Sequence, residues 1–89
     1  MSRNNINIDK IMTNLEKYNA VFCETLNVTE SQLAELKYQG VAEWDSVGHM
    51  TLVAAIEDAF DIMMETDDII DLSSYEKGKE ILKKYEVEI

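Results

Sequence analysis

The sequence predicts an all-α fold. It has no proline and only three glycines in 89 residues, which leaves helices uninterrupted and denies a turn-rich β fold its usual turn residues. Apolar residues recur at three- and four-residue steps, and serine or threonine stands where such stretches begin. Hydrophobic residues make up 46% of the chain, the share of an ordinary globular protein and not of a disordered one. Residues 1–89 therefore read as a single domain. A chain of this length buries on the order of 60% of its unfolded surface around one small core.

The first helix is expected from about Ile6 to Leu26. Ile8, Ile11, Met12, Leu15, Tyr18, Val21, Phe22 and Leu26 mark its apolar stripe, and Lys10, Asn14, Lys17 and Glu24 lie elsewhere around it. Cys23 lies near its end with no histidine or basic residue close by in sequence. It reads as a packing residue, because an activated thiol needs such a partner. A long connection follows, from Asn27 to Asp45. Within it Thr29 and Gln32 have the spacing of a capping box for a short helix. Leu33 and Leu36 would pin that turn to the core, and Gly40 and Trp44 mark the approach to the next helix. Connections this long either carry function or cross a bundle.

The second helix is expected from Ser46 or Val47 to Phe60. His49, Leu52, Val53, Ile56 and Phe60 form its core stripe. Val47, Met50, Thr51, Ala54, Glu57, Asp58 and Asp61 lie on the other side, apolar near Ser46 and acidic farther along. That strip has the make-up of a small docking patch with a charged rim; packing on the long connection is the plainer alternative. After Ile62-Met63-Met64-Glu65, a short acidic helix is expected from Thr66 to Ile70, capped by Thr66. Ser73-Ser74-Tyr75-Glu76 reads as another capping box opening the last helix, whose inner positions are Tyr75, Gly78, Leu82 and Tyr85, with Ile81 adjacent. Gly78 costs roughly 1 kcal/mol of helix propensity, which suggests close packing there.

Charge is unevenly placed. Eighteen acidic residues face eight basic ones, and from Tyr38 to Glu76 there are ten Asp or Glu and no Lys or Arg. Such a surface repels nucleic acid, which is bound through Lys and Arg contacts to phosphate. It steers basic protein patches toward itself, or simply keeps the chain soluble. No apolar run approaches the ~20 residues that span a bilayer, so membrane insertion is not expected. Met1-Ser2-Arg3-Asn4-Asn5 lacks the pattern of a secretory signal, and a lone cysteine suits a reducing compartment. The expectation is a cytoplasmic monomer.

Enzyme chemistry finds little to build on. His49 is the only histidine and sits on the inward stripe, where a hydrogen-bonded structural role outweighs one as base or ligand. No Cys/His cluster has zinc spacing. A calcium loop starting at Asp61 would place Met63, Thr66 and Leu72 at positions where ligands or glycine are required. Glycine-rich phosphate loops and nucleophile elbows are absent. The chain is not expected to be an enzyme.

Ser46 is the residue that stands out. A hydroxyl at a helix N-terminus lies beside unpaired backbone N–H groups and the positive end of the dipole, a favourable place for phosphate. Alone it would be an ordinary cap. The run Asp45-Ser46-Val47, with Leu52-Val53, Ile56-Glu57, Phe60-Asp61, Asp67-Asp68 and Leu72-Ser73-Ser74, resembles the acyl carrier proteins without a gap from about Trp44 to Ser74. More loosely, the likeness extends to the first and last helices.

The resemblance implies a four-helix bundle with a long first loop and a short third helix. It implies that a phosphopantetheinyl transferase attaches 4'-phosphopantetheine from coenzyme A to Ser46, with Asp45 as the adjacent acid contacting the transferase's metal. The arm's thiol would hold acyl or aminoacyl groups as thioesters, loaded by a ligase and consumed by a downstream transferase or synthase. Val47, Met50, Thr51, Ala54, Glu57, Asp58, Asp61, Asp67 and Asp68 would then form the partner face. Met63, Met64 and Ile69 are candidates for the wall of an acyl cavity. Where fatty-acid carriers place acids soon after the serine, this chain has Gly48 and Thr51. Gly48-His49-Met50 is more similar to discrete carriers of specialised pathways. The alternative reading is an unmodified acidic adaptor that binds basic partners.

Overall fold

A computed structural model describes residues 13–89. Helix α1 spans Asn14–Leu26, a 3-10 helix spans Glu30–Glu35, α2 spans Ser46–Phe60, α3 spans Thr66–Asp71 and α4 spans Tyr75–Lys83. Among the described residues there is no strand, only an isolated antiparallel bridge between Lys37 and Ser74. The fold is all-α. No helix among these residues is long and apolar enough to cross a membrane.

Helix α1 begins at Asn14, inside the span that the apolar stripe suggests. Thr13 is extended, with φ −74° and ψ 166°, and its hydroxyl accepts from the Glu16 N–H at 3.1 Å. Glu16 returns the favour through Oε1 to the Thr13 N–H at 2.8 Å. This reciprocal cap satisfies two donors that a helix start leaves open, so a helix running through Thr13 from Ile6 is ruled out. Ile8, Ile11 and Met12 lie outside the described residues. Leu15, in the first turn, is 40% exposed and leaves the core to Tyr18, Phe22 and Leu26. Asn27 ends α1 in the left-handed region at φ 56°, a conformation asparagine tolerates better than most residues.

The long connection is tied down along its length. The Gln32 Oε1 accepts from the Thr29 N–H at 2.8 Å, and Leu33 and Leu36 are buried. Beyond them the chain runs against the α3–α4 joint. The Leu36 carbonyl accepts from the Tyr75 N–H at 3.0 Å, and the Tyr38 N–H donates to the Ser73 carbonyl at 2.9 Å. The connection thus delivers Trp44 to the middle of the core, where it is wholly buried.

The core is an aromatic cluster ringed by aliphatic side chains. Tyr18 and Phe22 have centroids 4.8 Å apart, and Phe22 meets Trp44 edge-on at 5.7 Å and Tyr75 at 5.4 Å. Such pairs contribute about 0.5–1.5 kcal/mol each beyond their buried area. From α2 the buried residues are Leu52, Val53 and Ile56. His49 and Phe60, expected on the same stripe, are only half-buried, Phe60 packed against the edge of the core and His49 bonded to Trp44 and Ile69. On α4 Tyr75, Gly78, Ile81 and Leu82 are buried, whereas Tyr85, expected as an inner position of that helix, lies beyond its end and is half-buried. A Cβ on Gly78 would stand 2.0 Å from the Tyr18 hydroxyl, which accounts for a helix-weakening residue at that place.

Two expected caps are shifted. Thr66 is the first residue of α3 and not its cap; Glu65 takes that position without a side-chain bond, and the helix continues to Asp71. The help comes from elsewhere, because the Tyr85 hydroxyl accepts from the Glu65 N–H at 2.8 Å. Helix α4 is capped by Ser74 and not Ser73, its hydroxyl accepting from the Lys77 N–H at 2.9 Å. With lysine three residues on, no carboxylate completes a box.

Candidate functional site

Ser46 is the first residue of α2, and the cap is its neighbour. Asp45 is extended, at φ −104° and ψ −167°, and its Oδ1 accepts from the Gly48 N–H at 2.8 Å. An acid here also suits the positive end of the helix dipole. The capping role that would have explained a serine is therefore filled by aspartate. Ser46 is exposed, and its hydroxyl enters none of the side-chain hydrogen bonds among the described residues.

Gly48 makes this geometry possible. A Cβ at Gly48 would lie 1.8 Å from the Glu43 carbonyl oxygen, so any larger residue would push away the backbone that leads to Asp45 and Ser46. In the sequence Gly48 stands out as a missing acid and as part of the Gly48-His49-Met50 likeness to discrete carriers, not as a point of close backbone approach. Its readable signal was a glycine, unfavourable inside a helix, three residues after an aspartate cap.

Ser46 edges a cleft of about 400 Å³ between α2, α3 and the long connection. Tyr38, Met50, Ile69, Ile70 and Leu72 give it apolar walls, and His49 and Ser73 also line it. Of Met63, Met64 and Ile69, expected to wall an acyl cavity, only Ile69 lines this cleft. Met63 is 83% exposed and Met64 is buried in the core. Tyr38 and Leu72 were missed because they approach from segments distant in sequence.

His49 occupies the seam between these elements. Its Nδ1 accepts from the Trp44 indole N–H at 2.9 Å, and its Nε2 lies 2.7 Å from the Ile69 carbonyl oxygen. Indole is only a donor and a carbonyl only an acceptor. The ring is therefore neutral, with its proton on Nε2, donating to Ile69.

The residues grouped as a partner face fall into two sets. Val47 is 74% exposed, Met50 is 53% exposed, and Ile70 beside them is 72% exposed. Thr51, Ala54, Asp58, Asp61 and Asp67 are exposed as well. Glu57 is half-buried, and its Oε2 accepts from the Met64 N–H at 2.9 Å. Asp61 holds the left-handed turn that ends α2, at φ 54°.

Asp68 does not belong with the exposed acids. It is buried, and its carboxylate accepts from the Lys84 ammonium and the Tyr85 hydroxyl, each at 2.5 Å. These two bonds hold it below the usual carboxylate range, and the pairing holds Lys84 above the usual lysine range. Its task is to fasten α3 to the end of α4. Cys23 is half-buried against the core, and burial, with Glu30 and Glu24 nearby, pushes its thiol up, away from thiolate chemistry. Among the described residues no three His, Cys, Asp or Glu are grouped to hold a metal ion. Neither protein-family models nor curated proteins match the chain.

Proposed function

We propose that this protein is a discrete carrier of the acyl-carrier type, a four-helix bundle with a long first loop and a short third helix, bearing 4'-phosphopantetheine on Ser46. The observation that carries the reading is the division of labour at the start of α2: Asp45 caps the helix and leaves the Ser46 hydroxyl exposed and unbonded beside an apolar cleft. The site suits the group. Among the described residues the backbone N–H groups of Ser46 and Val47 find no backbone acceptor, and a phosphodiester beside a helix N-terminus gains from both these donors and the dipole. Attachment forms the bond from Ser46 Oγ to phosphorus and breaks the pyrophosphate linkage of coenzyme A, releasing adenosine 3',5'-bisphosphate and the hydroxyl proton.

When bound, the arm supplies a thiol on which acyl or aminoacyl groups are carried as thioesters. The chain's own residues position and present it. Asp45 orients the loop, and on this reading it also meets the metal of the phosphopantetheinyl transferase. Val47, Met50 and Ile70 offer an apolar surface around the serine, rimmed by Asp58, Asp61 and Asp67. That surface suits basic partner enzymes, the loading ligase and a downstream transferase or synthase. A tethered cargo reaches a docked partner at high effective concentration. The acids lie away from the first turn after Ser46, which favours a specialised pathway over housekeeping fatty-acid synthesis. The expected setting is a cytoplasmic monomer.

Incubation with coenzyme A and a broad-specificity phosphopantetheinyl transferase, followed by intact mass, tests the reading. The wild-type chain should gain one phosphopantetheinyl group, and Ser46→Ala should gain none. A wild-type chain that stays at its unmodified mass would favour an acidic adaptor instead.

A further inference from the structure

We propose that His49 is a pH-sensitive latch: in its neutral form it pins α3 against the Trp44 loop and sets the width of the cleft, and protonation releases α3. The proposal stands whether or not Ser46 carries an arm.

Helix α3 has six residues, well short of the ~12–15 that give even marginal helicity in isolation. Its place in the fold therefore depends on what grips its ends. At the N-terminal end the grip comes from α4 and the turn after it, through Tyr85 to the Glu65 N–H and through Lys84 and Tyr85 to Asp68. At the other end, the Ile69 carbonyl is one of the last four that a helix leaves without an internal partner. His49 Nε2 fills that need at 2.7 Å. Ile69 and Ile70, carried by the same helix, wall the cleft.

The latch has only one protonation state that works. Trp44 is fully buried, and its indole N–H has His49 Nδ1 as its acceptor. A second proton on the imidazole turns that acceptor into a donor facing a donor. The two rings stack at 6.2 Å with an interplanar angle of 14°, so the imidazole has to swing away from the indole to relieve the conflict, and its Nε2 leaves Ile69 with it.

Among the described residues, the titratable groups around His49 make no bond to its ring in this arrangement. From the long connection the titratable neighbours are Tyr38, whose ring meets His49 edge-on at 5.4 Å, and Glu43, an exposed residue whose carbonyl lies against Gly48. On α2, Asp45 uses Oδ1 on the Gly48 N–H. On α3, Asp68 is bound to Lys84 and Tyr85, and Asp67 and Asp71 are exposed. No carboxylate bonds either ring nitrogen.

Proton–nitrogen NMR of the full chain tests this directly, because His49 and Trp44 are the only residues of their kind. Between about pH 8 and about pH 5, the interval in which histidines change charge, the Trp44 indole resonance and the amides of Ile69, Ile70 and Asp71 should shift together in a single step. In His49→Gln, which keeps a donor and an acceptor but cannot titrate, both sets should stay at their pH 8 positions. An indole resonance that moves without the α3 amides would overturn the latch, as would a wild-type chain in which neither moves. Amides of α3 that titrate equally in His49→Gln would assign the response to the acids of α3 and also overturn it. Should His49→Gln fail to fold, co-titration in the wild-type chain still decides the matter.

Discussion

At Gly48 helix propensity and sterics pull in opposite directions. Alanine there would gain about 1 kcal/mol of propensity, yet its Cβ would stand 1.8 Å from the Glu43 carbonyl oxygen. Overpacking costs about 1–3 kcal/mol, and more when the obstacle is backbone. Gly48→Ala is therefore expected to lower stability in urea denaturation; a gain would show that the approach to α2 is looser than described. Gly78 offers a sharper case. Its missing Cβ makes room for the Tyr18 hydroxyl, which donates to the Tyr75 carbonyl at 2.6 Å and whose burial pushes it far above the usual tyrosine range, keeping it a donor. Gly78→Ala should destabilise the wild-type chain by more than it destabilises Tyr18→Phe, where the obstructing oxygen is gone. A double-mutant cycle with no coupling would contradict that contact. Gly78 was legible in sequence, since a glycine amid inner helical positions asks for a close neighbour. Gly48 gave a weaker signal, a glycine inside a helix three residues after Asp45, and the Glu43 carbonyl that demands it is brought near only by the folded loop.

Among the elements, α2 carries most of what could be read and α3 most of what could not. The period of Leu52, Val53 and Ile56 placed the burying face correctly, and all three are buried. Periodicity cannot say where a helix runs past its partner, which is why Phe60 and His49 were placed too deep. Leu52→Ala should cost about 2–5 kcal/mol, and Phe60→Ala less than the ~3–5 kcal/mol of a fully buried phenylalanine. Equal losses in denaturant titrations would mean that Phe60 is part of the core after all. Helix α3 is held by residues far along the chain, so nothing local revealed that Asp68 faces Lys84 and Tyr85. Its carboxyl is held below the usual range in the folded chain. It therefore stabilises the fold above about pH 4, and that contribution is lost as pH falls through the lowered folded value. Lys84 works in the other direction: held above its usual range, it contributes below about pH 10 and the contribution is lost as pH rises further. The stability gap between wild type and Asp68→Asn should thus be present at pH 7 and shrink toward pH 3. A gap that is equal at both would remove the ion pair from the account. The start of α1 was readable but overlooked: Thr13 and Glu16 have capping-box spacing, and the strong apolar stripe across them hid it.

For the whole molecule, charge and fold were legible to different degrees. Composition and spacing were enough for an all-α chain with a long connection between its first two long helices, because helix periodicity is a local property. The cleft beside Ser46 was not, since Tyr38, Ile69 and Leu72 meet there only through the stitching of the connection to the α3–α4 joint. The formal net charge of −10 sets a global expectation: raising salt from about 0.02 M to about 0.5 M shortens the screening length severalfold, so the melting temperature should rise. A melting temperature independent of salt would show that the exposed acids repel one another too weakly to matter. The account as a whole turns on the Ser46 hydroxyl, free because Asp45 caps the helix in its stead. The most direct measurement is peptide fragmentation of the chain after co-expression with a phosphopantetheinyl transferase. One phosphopantetheinyl group should map to Ser46; an unmodified Ser46 peptide, or a group found on Ser73 or Ser74 instead, would contradict it.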